Sequence, residues 1–185
     1  MVDGIAFERV KVGRSGQVKG ILAKDTEIAG RTCHQGYVHV HANGVPAAFE
    51  AAEEILLPHV VIPTGAWVRQ DPEGRVTSVA FPQDQEVQGY RCRGTGGPKG
   101  AQVSFHPNGA IRLFYLAEPT RIDGIPCDAG LARGWVELYE DGRLRSARLS
   151  EDVQFGSRHY RRGERLTMDR VGQVIEPDPI MWLQP

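Results

Sequence analysis

The chain has 185 residues, 41% of them hydrophobic, with 22 Lys and Arg against 23 Asp and Glu and a formal net charge of −1. That is apolar content for one core, and the balanced charge gives no global field toward nucleic acid or an anionic membrane. No stretch approaches the ~18 apolar residues of a membrane-spanning helix, and Cys33, Cys92 and Cys127 make no even disulfide framework.

From the N-terminus, Met1 to Gly20 has no apolar signal-peptide core and already contains a recurring element, so the cytoplasm is the expected compartment. In that element Val10 precedes by six positions a turn-closing glycine, Gly16. The same spacing joins Val38 to Gly44, Val68 to Gly74, Val103 to Gly109, Val136 to Gly142 and Leu166 to Gly172, with a period of about thirty residues. The residues before these glycines (Asn43, Pro107-Asn108 and Asp141 among them) suit a type I turn. Followed by a left-handed glycine, such a turn makes a three-residue hairpin loop with a bulge.

That loop predicts six cross-strand pairs: Val12 with Val18, Val40 with Pro46, Gln70 with Val76, Phe105 with Ile111, Leu138 with Leu144, and Met168 with Val174. Apolar meets apolar in all but the Gln70 pair. On the opposite face the same register sets Asp71 against Arg75, Tyr139 against Arg143 and Glu137 against Arg145. After each hairpin a shorter return stretch is expected, marked by Ile28-Ala29-Gly30, Val87-Gln88-Gly89, Ile122-Asp123-Gly124 and, more weakly, Phe155-Gly156. The second unit deviates. Ala47 to Leu57 is rich in Ala and Glu, so a helical turn is expected after its strand.

Several residues invite a chemical reading. Cys33, Cys92 and Cys127 each lie five positions past Ile28, Val87 and Ile122, an equivalence that favours core packing over zinc or redox chemistry. Cys33, His34, His39 and His41 crowd four potential metal ligands together, and on a strand His39 and His41 share a face. In the repeat frame the two histidines are outward positions, so no metal or other cofactor is expected. Gly94 to Gly100 lacks the Ser/Thr and helix of a phosphate-binding loop and reads as extra length between hairpins. No nucleophile elbow, zinc-protease helix or dinucleotide fingerprint is present.

The outer face holds the better candidates. Tyr37, Trp67 and Trp135 recur seven positions before the turn glycine, and strand alternation puts them beside Arg69, His106 and Tyr139. A strip of aromatic and polar side chains of this kind stacks sugars or anchors a protein partner, unless a second layer covers it as secondary core.

The stretch Val103-Ser104-Phe105-His106-Pro107-Asn108-Gly109-Ala110-Ile111-Arg112 resembles the hairpin repeats of MORN-like proteins, a similarity that extends loosely over about five units. The resemblance implies a meandering or solenoid-like β-array and a scaffold role in binding proteins or lipids. Some bacterial members act beside toxins as neutralising partners. The chain shows no basic strip in sequence, so the lipid role is not expected.

The expectation is an all-β domain over residues 1–175. Its six hairpins form an open, solenoid-like or curled antiparallel array, with a closed β-trefoil-like barrel as the alternative. Residues 176–185, with two prolines before an apolar cluster, are expected to cap the array or dock elsewhere. The expected function is a non-enzymatic recognition or scaffold module for a protein partner, with a small ligand or carbohydrate second and neither nucleic acid nor membrane involved. The competing expectation is a small metal-binding or ligand-processing enzyme built on Cys33, His34, His39 and His41.

Overall fold

The computed structural model describes residues 5–130 and 134–175. Long and short hairpins alternate along the chain. β1 (Phe7–Val12) and β2 (Val18–Leu22) form the first long hairpin, and β3 (Thr26–Ile28) and β4 (Arg31–Cys33) the first short one. The second unit has β5 (Gly36–Val40) with β6 (Pro46–Glu50), then β7 (Ile55–Leu57) with β8 (Val60–Ile62). The third has β9 (Trp67–Gln70) with β10 (Val76–Ala80), then β11 (Gln85–Val87) with β12 (Tyr90–Cys92). The fourth has β13 (Gln102–Phe105) with β14 (Ile111–Tyr115), then β15 (Thr120–Ile122) with β16 (Ile125–Cys127). The fifth has β17 (Trp135–Leu138) with β18 (Leu144–Arg148), then β19 (Val153–Phe155) with β20 (Arg158–Tyr160). β21 (Arg165–Thr167) opens the sixth.

The long strands make one eleven-stranded antiparallel sheet in the order β1-β2-β5-β6-β9-β10-β13-β14-β17-β18-β21. Its end strands do not pair with each other, so the array is open and the barrel alternative is set aside. All six turn glycines have φ between +78° and +86°, the left-handed geometry that the three-residue loop needs. The six predicted pairs are all present, Met168 with Val174 as an isolated bridge. Asp71 and Tyr139 donate their backbone N–H to Arg75 and Arg143 as expected. Glu137 departs from expectation. The bulge sets Ser146 across from it, and Arg145 reaches its carboxylate only diagonally, at 3.9 Å.

The return stretches are two-stranded hairpins rather than single segments. In the first, third and fourth, both central residues (Ala29-Gly30, Gln88-Gly89, Asp123-Gly124) have positive φ, which defines a type I′ turn matched to strand twist. An aspartate three residues before the marker closes the base of three of them. Asp25 accepts from Gln35 N–H at 2.7 Å, Asp84 from Gly94 at 3.0 Å and Asp152 from Arg162 at 2.7 Å. Ala47 to Leu57 contains no helical turn, because its apolar residues meet the strand period once β6 has joined β9.

The core lies between one face of the sheet and the row of short hairpins. Val38, Val68, Val103, Val136 and Leu166 are buried there together with Ile28, Ile62, Val87 and Ile122. The first, third and fourth short hairpins each bridge to the unit that follows, through Cys33–Ala51, Cys92–Leu116 and Cys127–Leu149. No short hairpin precedes β1 among the described residues, and Val10 and Val12 are accordingly 43% and 56% exposed. The glycine-rich loop before β13 closes on itself, with Gly96 N–H donating to Phe81 and Ala101 N–H to Thr95 Oγ1. The expected tail, residues 176–185, lies outside the described residues.

Candidate functional site

Cross-strand registration sets the outward residues in rows. One row carries Tyr37 opposite Ile21, Trp67 between Glu50 and Ala80, and Trp135 opposite Tyr115. These side chains have different fates. Tyr37 is half exposed, its ring 5.1 Å from that of His39, and Arg69 is exposed. Trp67 is only 4% exposed because its small neighbours Ala48 and Ala80 let the indole pack down with them in a separate cluster. Its expected role as an exposed contact is thereby overturned, although its Nε1 has no hydrogen-bond partner. Trp135 lies under the Arg165 guanidinium at 3.8 Å. That stacking is held by Arg165 donating to the Trp135 carbonyl and to Ser146 Oγ.

His106 and Tyr139 serve the turns. His106 Nε2 donates to the Leu138 carbonyl at 3.0 Å, and Tyr139 Oη to the Met168 carbonyl at 2.8 Å. His41 does the same to Gln70 O at 3.0 Å. In each imidazole, donation to a carbonyl places the proton on Nε2. The six predicted residues therefore share a face but are not gathered into one patch.

The cysteine–histidine cluster is not assembled. Cys33 faces the core and is fully buried, while His34 pairs with Asp25 at 2.9 Å at the base of the first short hairpin. Among the described residues no three His, Cys, Asp or Glu side chains come together as a metal site. Burial pushes the Cys33 and Cys92 thiols up to about 12 and Cys127 to about 11, so all three stay protonated and inert. His39 is lowered from its ordinary value, first by burial and then by the charges of Lys19 and Arg69.

Sequence reading missed the cleft between the third and fourth turns, which has a volume of about 650 Å³. Two series of hydrogen bonds lapse at the third turn. At the second and fourth turns a histidine and an asparagine each reach one unit onward: His41 and Asn43 to the carbonyls of Gln70 and Pro72, and His106 and Asn108 to those of Leu138 and Glu140. The third turn has Asp71 and Glu73 at those positions, and a carboxylate donates nothing. Asp71 instead turns back on Arg75, accepting from its Nε at 2.7 Å. Burial raises this carboxyl, but hydrogen bonds from Arg75 and its charge outweigh that and hold it low. Among the described residues, no side chain donates to the carbonyls of Phe105 and Pro107.

The second series runs from the short-hairpin tips. Gln88 accepts from Ile111 N–H at 3.0 Å and Asp123 from Leu144 N–H at 2.7 Å, each sealing the turn that follows. The second tip is Pro58-His59. Its imidazole leans past the third turn onto the fourth, edge-on to Phe105 at 5.1 Å between centroids. It sits so close to Gly109 that a Cβ there would lie 2.9 Å from His59 Nδ1. Burial lowers the pKa of His59, and its Nε2 has no partner. Gln70, across the strand from the cleft-lining Val76, is 5% exposed with both amide atoms unpaired. The sequence signal was available in His-Ala-Asn-Gly and His-Pro-Asn-Gly against Asp-Pro-Glu-Gly, but only stacked turns show what the contrast means.

No family model, no curated protein and no solved structure matches this chain.

Proposed function

We propose that the protein is a non-enzymatic recognition or scaffold module whose outer sheet face binds a protein partner, a role in keeping with its MORN-like hairpin pattern. The observation that carries this reading is an asymmetry of charge and cover. The inner face is roofed by short hairpins, whereas Tyr37 and Arg69 stand exposed on the outer face. The eleven long strands hold eight Lys and Arg against three Glu, although the whole chain is at −1.

Tyr37 and Arg69 offer an aromatic anchor and a guanidinium on that surface, the residue types that dominate interface energetics. An acidic partner surface is the complement, and a neutralising role toward such a partner is consistent with it. A photo-reactive benzoylphenylalanine at position 37 or 69 tests the reading, with one at exposed Leu56 on the short-hairpin side as control. Adducts formed in cells from the two outer sites alone support it. Adducts from position 56 alone, or from none, overturn it.

A further inference from the structure

We propose that the cleft between the third and fourth turns is a binding site for a flat small molecule that donates neutral N–H groups at one end and carries an anionic group at the other. This site is separate from the outer-face interface and does not depend on it.

The array itself shows what the cleft accepts. At the junction of the second and third turns, an imidazole N–H and a carboxamide N–H fill the carbonyls of Gln70 and Pro72. The same pair of donors fills the carbonyls of Leu138 and Glu140 between the fourth and fifth. In the cleft the corresponding acceptors, Phe105 O and Pro107 O, receive no side-chain donor among the described residues. A ligand with an imidazole or carboxamide donor repeats a contact that the fold already makes in two places.

The walls select the rest of the molecule. Leu57, Val76 and the His59–Phe105 edge-to-face pair offer an apolar slot for a flat body. Arg112 lines the same cleft and has no hydrogen bond or ion pair among the described residues, which leaves its guanidinium for an anion. Arg75 is already paired with Asp71 and Glu73, so Arg112 carries the cleft's unpaired charge, and the neutral donor end follows from the carboxamides of Asn43 and Asn108 that fill the equivalent acceptors elsewhere. The volume of about 650 Å³ lies in the range of small-molecule sites. The comparable gap between the first and second turns is about 240 Å³. There Gly16 comes down onto Ala42, and turn closes on turn without donors.

The test uses 4-carbamoylbenzoate as probe, with benzamide (no anion) and benzoate (no donor) as controls, read by titration of backbone amide NMR signals. Saturable shifts are expected around Phe105 to Gly109, with each control weaker by about tenfold, the worth of one charge-assisted or well-formed hydrogen bond. Arg112→Ala should bring the probe down to the affinity of benzamide. The double substitution Asp71→His, Glu73→Asn makes the third turn identical in sequence to the fourth and supplies both missing donors from within the chain. It should abolish binding of all three compounds while the protein stays folded. Equal affinity for probe and controls, no saturable shifts with any compound, or unchanged binding in the Arg112 variant would each overturn the proposal. The Arg112 variant lies at an exposed bulge and keeps the test decisive if the double variant fails to fold.

Discussion

The junction between the third and fourth turns and the one between the fourth and fifth join the same kind of hairpin, yet they are held differently. From fourth to fifth, His106, Asn108 and Asp123 each supply a hydrogen bond across the gap. From third to fourth, Gln88 supplies the counterpart of Asp123, but Asp71 and Glu73 are engaged with Arg75 in place of the two turn donors, and His59 leans onto the fourth turn instead of sealing the third. Beneath both junctions the row of valines is unbroken, since Val68, Val103 and Val136 are all at most 1% exposed. Cohesion along the sheet and cohesion along the turns are thus separable. The core joins the units, while contacts between turns, side-chain donors at two junctions and the close approach of Gly16 to Ala42 at another, set the width of each gap.

The largest expected effect tests the shared core. Leu138→Ala, at a position 1% exposed, should cost about 2–5 kcal/mol in chemical denaturation. A value below ~1 kcal/mol would mean that the turns, not the column, hold this junction.

Gln70 sharpens the contrast from the other side. It occupies the column position held by Val40, Phe105 and Leu138, and its buried amide is unpaired. Gln70→Leu should stabilise the protein by about 1–3 kcal/mol, because the buried polar group loses its desolvation penalty. A destabilised Leu variant would show that this amide is satisfied in solution.

The two turn glycines measure the seat of His59. Gly109→Ala and Gly142→Ala impose the same left-handed strain, at φ +84° in both, but only the former puts a Cβ against the imidazole. Each should cost about 1–2 kcal/mol from backbone strain. Gly109→Ala should cost more than Gly142→Ala, and His59→Ala should remove that excess. His106→Ala, which removes the regular junction's bond to Leu138 O, should cost about 1 kcal/mol.

The smallest effect is with pH. Burial lowers His39 and His59 below the ordinary imidazole value, so the unfolded chain binds more protons near and below that value. Their contribution to stability is complete above the unfolded pKa and is lost as pH falls through the folded values. Urea midpoints should therefore decline on acidification from pH 7.5 to about 5.5. The decline should be shallower in His59→Gln, and an unchanged slope would count against the burial of that ring.

Much of the architecture was legible because it is local. A left-handed glycine after a type I turn dictates the bulge, and the bulge dictates which residues face each other, so six pairs follow from spacing. The burial of the cysteines followed from their equivalent places in three units. Trp67 was misjudged because its exposure depends on Ala48 and Ala80, which come from neighbouring strands and are set by register.

By itself the sequence determined a run of β-hairpins, their register and the apolar row inside them, since turn chemistry and strand alternation act over a few residues. Tertiary structure decided what no local rule contains. It left the array open, turned the return stretches into paired hairpins and took Trp67 off the surface. It also opened a cleft where Asp71 and Glu73 stand in place of His and Asn. These outcomes depend on which carbonyls and side chains the stacking of one unit on the next brings within hydrogen-bond reach, across about thirty residues of chain.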